Sequence, residues 1–152
     1  MRASVLASLA AATCLLAQAP HPTPAKAEGL VRAAIAFAKA NGMEKLIAET
    51  NSPTGRFHVG SGGELYIFIY GTDGVCRAIG FETEKVVGQN RLALKDPDGK
   101  LYIRDFIAKA KAEGKGWVEY KRMNPLDRKI ENKISYVEMH EGLVIGAGVY
   151  KD

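Results

Sequence analysis

With 152 residues, 47% of them apolar and 25% charged, the chain has the size and balance of one folded domain, which excludes both a disulfide-dense miniature scaffold and a disordered chain. The net charge is +4, and two of those charges, Arg2 and Lys26, fall in a segment that reads as an export leader. So small an excess does not point to nucleic acid as a partner.

The leader is expected over residues 1–27. Arg2 supplies the positive start, residues 3–17 are uncharged and mostly apolar, and Pro20, Pro22 and Pro24 interrupt the run. Ala25-Lys26-Ala27 has the small-x-small form that a signal peptidase accepts. Ala17-Gln18-Ala19 is a second site of that form, with Pro20 against it. The apolar run is shorter than the roughly 20 residues of a bilayer span, which argues against an uncleaved anchor. Cys14 follows Ala11-Ala12-Thr13, a poor lipoprotein site. Residues 28–152 are then the working domain, periplasmic or secreted.

Residues 28–50 have helical spacing, with Leu30, Ala34, Phe37 and Ala38 on one face and Val31, Ile35, Leu46 and Ile47 widening the stripe. Asn51-Ser52-Pro53-Thr54-Gly55 ends that helix. Residues 65–70 are aromatic and aliphatic throughout, which predicts a strand covered on both faces. Gly71-Thr72-Asp73-Gly74 turns the chain into a second strand at 75–79. No regular element is predicted over 81–94. Asp96-Pro97-Asp98-Gly99 is a turn, and 101–112 is a helix ended by Gly114-Lys115-Gly116. Strands at 117–122, 129–138 and 143–150 close the chain. Two helices and five mostly consecutive strands give an α+β fold: a long N-terminal helix packed on a PAS-like antiparallel sheet, with a second helix inserted.

Catalytic patterns are scarce. His58 and His140 have no His or Cys at metal-ligand spacing, and no serine sits in a nucleophile elbow. The Asp96-Pro97-Asp98-Gly99 turn resembles a calcium loop, but its glycine comes too early. Once the leader is removed Cys76 stands alone among apolar neighbours and reads as a small core residue. No enzyme, metal or cofactor is expected.

The C-terminal hairpin carries more. Residues 115–133 hold six basic side chains against three acidic, interleaved with Trp117 and Tyr120. Alternation puts Val118, Tyr120 and Arg122 on one strand face and Trp117, Glu119 and Lys121 on the other. On the next strand Ile134 and Tyr136 share a face, opposite Lys133 and Ser135. Tyrosine hydroxyls beside a Lys or Arg can hold a carboxylate through charge-assisted hydrogen bonds. Gly146 and Gly148 share a face of the last strand, leaving room for close packing or for a ligand.

The run Gly116-Trp117-Val118-Glu119-Tyr120-Lys121, then Asn124-Pro125, Lys133, Ser135-Tyr136-Val137 and Gly146-Ala147-Gly148-Val149-Tyr150, resembles the single Cache domain, type 2. Residues 65–70, Val87-Gly88-Gln89-Asn90 and residues 95–100 match the same pattern in order, so the resemblance spans nearly all of 30–150. It implies an extracytoplasmic sensor domain that binds small organic anions such as short carboxylates. The pocket candidates it carries over are Tyr120, Lys133 and Tyr136, to which the basic hairpin adds Trp117 and Arg122. The chain departs from the family at Arg122-Met123, where Trp-Pro is usual, and at Ile79-Gly80-Phe81, where His-Pro is usual. Both departures flank the pocket and bear on ligand identity. On a regular strand Lys133 and Tyr136 face opposite ways, so a shared pocket requires a bulge. Only Lys151 and Asp152 follow Tyr150, so the expected role is a free-standing binding module that signals through a separate membrane receptor or histidine kinase. The alternative is a structural or interaction protein that kept the fold without a working pocket.

Overall fold

The computed structural model describes residues 21–60 and 63–151; residues 1–20, most of the expected leader, lie outside them. The first element is helix α1, Pro24–Asn41. Thr23 caps it by accepting the Lys26 N–H, and Pro24 takes the first helical position, where a missing N–H costs nothing. Its buried stripe is Ala27, Val31, Ala34, Ile35 and Ala38, mostly small residues that let the helix lie close on the sheet. The single helix expected over 28–50 is two: Gly42 adopts φ 93°, returns its N–H to the Ala38 carbonyl, and α2, Met43–Asn51, leaves in a new direction.

Strands β1, Phe68–Gly71, and β2, Cys76–Ile79, form the expected hairpin, with a register shift between Ile69 and Tyr70. β1 starts later than residue 65 because the preceding backbone bonds irregularly: Ile67 N–H to the Phe57 carbonyl, and Gly80 N–H to the Ile67 carbonyl. The region without a predicted element contains a short helix, α3, Thr83–Val86. Helix α4, Tyr102–Glu113, matches the expected helix and stops at Gly114, which is left-handed at φ 78°. The last strands are β3, Lys115–Met123, β4, Ile130–His140, and β5, Leu143–Tyr150. All pairings are antiparallel, in the order β2-β1-β5-β4-β3.

The sheet separates two cores, as strand alternation requires. Ile67, Ile69, Tyr136 and Ile145 pack under α1 and α2. Tyr66, Phe68, Tyr70, Val118, Tyr120 and Val137 pack under α4 and the residues around α3. The Asp96 carboxylate fastens its turn to the edge strand: one oxygen accepts the Asp98 and Lys100 N–H groups and the other accepts Lys121 N–H at 3.0 Å. The turn reading is thereby borne out. Among the described residues no helix is long and apolar enough to cross a membrane.

Candidate functional site

The β3–β4 ladder runs unbroken from Lys115 opposite Glu138 to Met123 opposite Ile130, so no bulge intervenes. Tyr120 and Arg122 of β3 therefore share the α4 side of the sheet with Lys133 and Ser135 of β4. The structure corrects the expected grouping here. Trp117 and Tyr136 lie on the other side, under α1, with ring centroids 5.3 Å apart and the Tyr136 hydroxyl donating to Glu138 at 2.8 Å. The cause is the period of two: an odd separation, 133 to 136, reverses the face. Of the five candidates, Tyr120, Arg122 and Lys133 come together.

Lys133 is 1% exposed. Its Nζ donates to Tyr66 Oη at 3.0 Å and Tyr150 Oη at 3.4 Å, and lies 4.2 and 4.6 Å from those two ring centroids. The Tyr150 hydroxyl itself donates a hydrogen bond to the Met123 carbonyl at 2.7 Å. Among the described residues no carboxylate forms an ion pair with Lys133; the buried Glu64 acts on it only through space, and holds Asn124 instead at 2.6 Å. Burial pushes the Lys133 ammonium below its usual range. Burial alone would push the Tyr66 hydroxyl up, but the adjacent Lys133 and Arg122 charges outweigh it and bring Tyr66 down to about 8.

Arg122 enters the same region. Its Nη1 donates to Tyr102 Oη at 3.3 Å, and its Nη2 stands 3.9 Å from Glu82 Oε2. Tyr102 stacks on Tyr120, with centroids 4.5 Å apart, and Tyr120 Oη meets Ser135 Oγ at 2.9 Å. Tyr66, Phe68, Ile79, Tyr102, Phe106, Tyr120 and Arg122 line a cavity of about 10 Å³, no larger than one water requires. The glycines shape this wall. A side chain on Gly148 would collide with Ser135 Oγ and come within 2.9 Å of the Lys133 stem, and one on Gly146 would collide with the Phe68 ring. They serve close packing, the first of the two roles expected for them.

Sequence reasoning did not single out Tyr66, Tyr102, Tyr150 or Ser135 as ligand groups. The signal was present in register: Tyr150 pairs with Lys133, and Gly148 with Ser135. Five of the six tyrosines lie on this side of the sheet, Tyr136 alone facing α1. The remaining polar candidates stay apart. His58 accepts the Gly60 N–H, and His140 is more enclosed than a surface role suggests, at 15% side-chain exposure. Cys76 is buried, and burial pushes its thiol up to about 11, as fits an unreactive core residue. No group of three His, Cys, Asp or Glu that could hold a metal occurs among the described residues.

A helix laid across one face of an antiparallel sheet, with a small aromatic-lined cavity under a second helix on the other, is a PAS-like α+β architecture. A family model of the Cache domain matches residues 58–152, and the chain belongs to that family as a single Cache domain, type 2. It is 37% identical over 93 residues to the sensor histidine kinase MctS of Rhizobium johnstonii, a match covering 55% of this chain and 20% of that kinase. The chain thus spans about a fifth of that relative's length. Among solved structures it is similar to the periplasmic sensor domain of a chemotaxis protein (TM-score 0.65, 24% identity, 84% of this chain and 90% of that one). A methyl-accepting chemotaxis protein from Vibrio parahaemolyticus gives TM-score 0.68 at 23% identity, over 84% and 88% of the two chains. A Cache chemosensory domain solved for its carboxylic acid recognition gives 0.62 at 24%, again over 84% and 88%. At such identities these likenesses concern the fold.

Proposed function

We propose that this domain is a periplasmic sensor module that binds a short organic carboxylate and passes its bound state to a separate membrane receptor or histidine kinase. One observation carries the reading: a buried cation, Lys133, and a half-buried one, Arg122, share a region ringed by tyrosine hydroxyls, and Lys133 has no anionic partner at bonding distance among the described residues. Burying an ammonium against neutral phenols is costly, and an incoming carboxylate offsets that cost while accepting charge-assisted hydrogen bonds from groups already in place. The carboxylic acid recognition of the similar Cache chemosensory domain supports the ligand class, and the histidine kinase relative supports the kind of partner. The hydroxyls of Tyr66, Tyr102 and Tyr120 would orient the carboxylate, and Phe68 and Phe106 would meet its short apolar end.

The cavity volume of about 10 Å³ favours the second reading, a structural or interaction protein with the same fold, because even a two-carbon acid enters only if a wall moves. A thermal-shift series with acetate, propionate, butyrate, pyruvate and succinate separates the two. The sensor reading expects one acid to raise the melting temperature, since a ligand at one hundred times its Kd adds about 2.7 kcal/mol of stability. No shift with any of them at millimolar concentration, in protein of intact fold, favours the structural reading.

A further inference from the structure

Arg122 already has a carboxylate beside it, held in an unusual way. Glu82 sits just before α3 with φ 54° and ψ 37°, a left-handed conformation that a non-glycine residue adopts at a cost. Its two oxygens point to different partners. Oε1 faces outward to Lys85 Nζ at 3.2 Å and Arg128 Nη2 at 3.4 Å. Oε2 faces inward to Arg122 Nη2, but at 3.9 Å, about 1 Å longer than a made guanidinium–carboxylate hydrogen bond. Both side chains of that inner pair are 15% exposed. Arg128, the outer partner, is itself left-handed at φ 65° and places its guanidinium 5.6 Å from the Phe81 ring centre. Phe81 in turn packs on Tyr66, a hydroxyl partner of Lys133, with centroids 5.6 Å apart. Residues 79–82 therefore link a cavity wall, Ile79, to a carboxylate poised between an inner and an outer set of cations.

We propose that Glu82 is an internal competitor of the ligand: it screens Arg122 until a carboxylate takes that guanidinium, and then turns fully to Lys85 and Arg128, lifting Phe81 from Tyr66 and opening the wall. This rests on the acid-binding reading of the same site. The loose inner contact is the reason a ligand can win. A free carboxylate reaching Arg122 from the cavity makes two short hydrogen bonds where Glu82 makes none, and the outer cations retain Glu82 at little cost. Two carboxylates cannot share Arg122 without mutual repulsion, so occupancy by the ligand and outward movement of Glu82 are one event. The movement also supplies the space that a cavity of about 10 Å³ lacks.

The test is calorimetric titration of wild type, Glu82→Gln and Glu82→Asp with acetate, propionate and pyruvate, each variant checked by its thermal melt. Removing the competing charge should tighten binding of the preferred acid about tenfold, whereas Glu82→Asp, which keeps it, should stay near wild type. In an Arg122→Gln background Glu82→Gln should give no gain. A gain in Glu82→Gln where wild type gives no measurable heat supports the proposal equally. Wild-type binding with Glu82→Gln equal or weaker overturns it and leaves acid binding standing. Failure of both wild type and Glu82→Gln to bind any of the acids overturns both.

Discussion

Lys133 is the least economical residue for stability alone. Its stem lies against the space that Gly148 leaves, its ammonium touches two phenol rings and their oxygens, and burial lowers its affinity for a proton. A methionine of similar length would fill that space without desolvating a charge. Lys133→Met should therefore melt at or above the wild-type temperature while losing carboxylate binding by at least tenfold, about 1.4 kcal/mol. Thermal melts and acid titrations of the one variant measure both halves. A large loss of stability with binding unchanged would show that the ammonium holds the fold together and meets no ligand.

At the scale of elements, legibility followed physical period. Strand alternation correctly put Tyr120 and Arg122 on one face and Trp117 on the other, and Lys133 with Ser135 opposite Tyr136, because a ladder without a bulge leaves no freedom. What alternation does not reveal is which face meets which helix, and the family resemblance groups Tyr136 with residues that lie across the sheet from it. Tyr66 and Tyr102 were illegible as partners of the cations because they reach the cavity from elements distant in sequence. The helix expected over 28–50 missed the break at Gly42, where a continuous apolar stripe hides a change of axis. Its start matters for processing. The expected cleavage point after Ala27 falls inside α1, where Ala27 is fully buried, Thr23 caps the helix, and His21 Nδ1 lies 2.8 Å from a Glu64 oxygen. A chain beginning at Glu28 should be less stable than one beginning at His21 by on the order of 2 kcal/mol, the cap alone contributing about 1. Comparing the melts of the two chains checks this, and equal melts would show that residues 21–27 add nothing to the fold.

Over the whole molecule, charge is arranged in two regimes that respond to different variables. The pairs on the outside, such as Arg32 with Glu28 and Lys109 with Glu113, lie in water and are screened by salt. Lys133 and Arg122 lie under α4 and the residues around α3, where screening is weak and protonation decides the local charge. The groups facing Lys133 are Tyr66 from the segment before β1, Tyr150 from β5, Arg122 from β3 and, through space, Glu64. A carboxylate binds best while Lys133 carries its proton and Tyr66 keeps its own. Raising the pH through about 8 begins to ionise Tyr66, and Lys133, which burial holds below the usual lysine range, gives up its proton more readily than an exposed lysine. Both changes make the cavity less positive, and a bound anion opposes both by raising the two pKa values. Affinity for the acid should accordingly fall as the pH rises through about 8, where Tyr66 ionises, by up to tenfold per pH unit for each group that must stay protonated. It should change little between low and moderate salt. Titrations from pH 6 to 10 at two salt concentrations measure this. An affinity flat in pH but steep in salt would place the ligand on the outer charges instead of between Lys133 and Arg122.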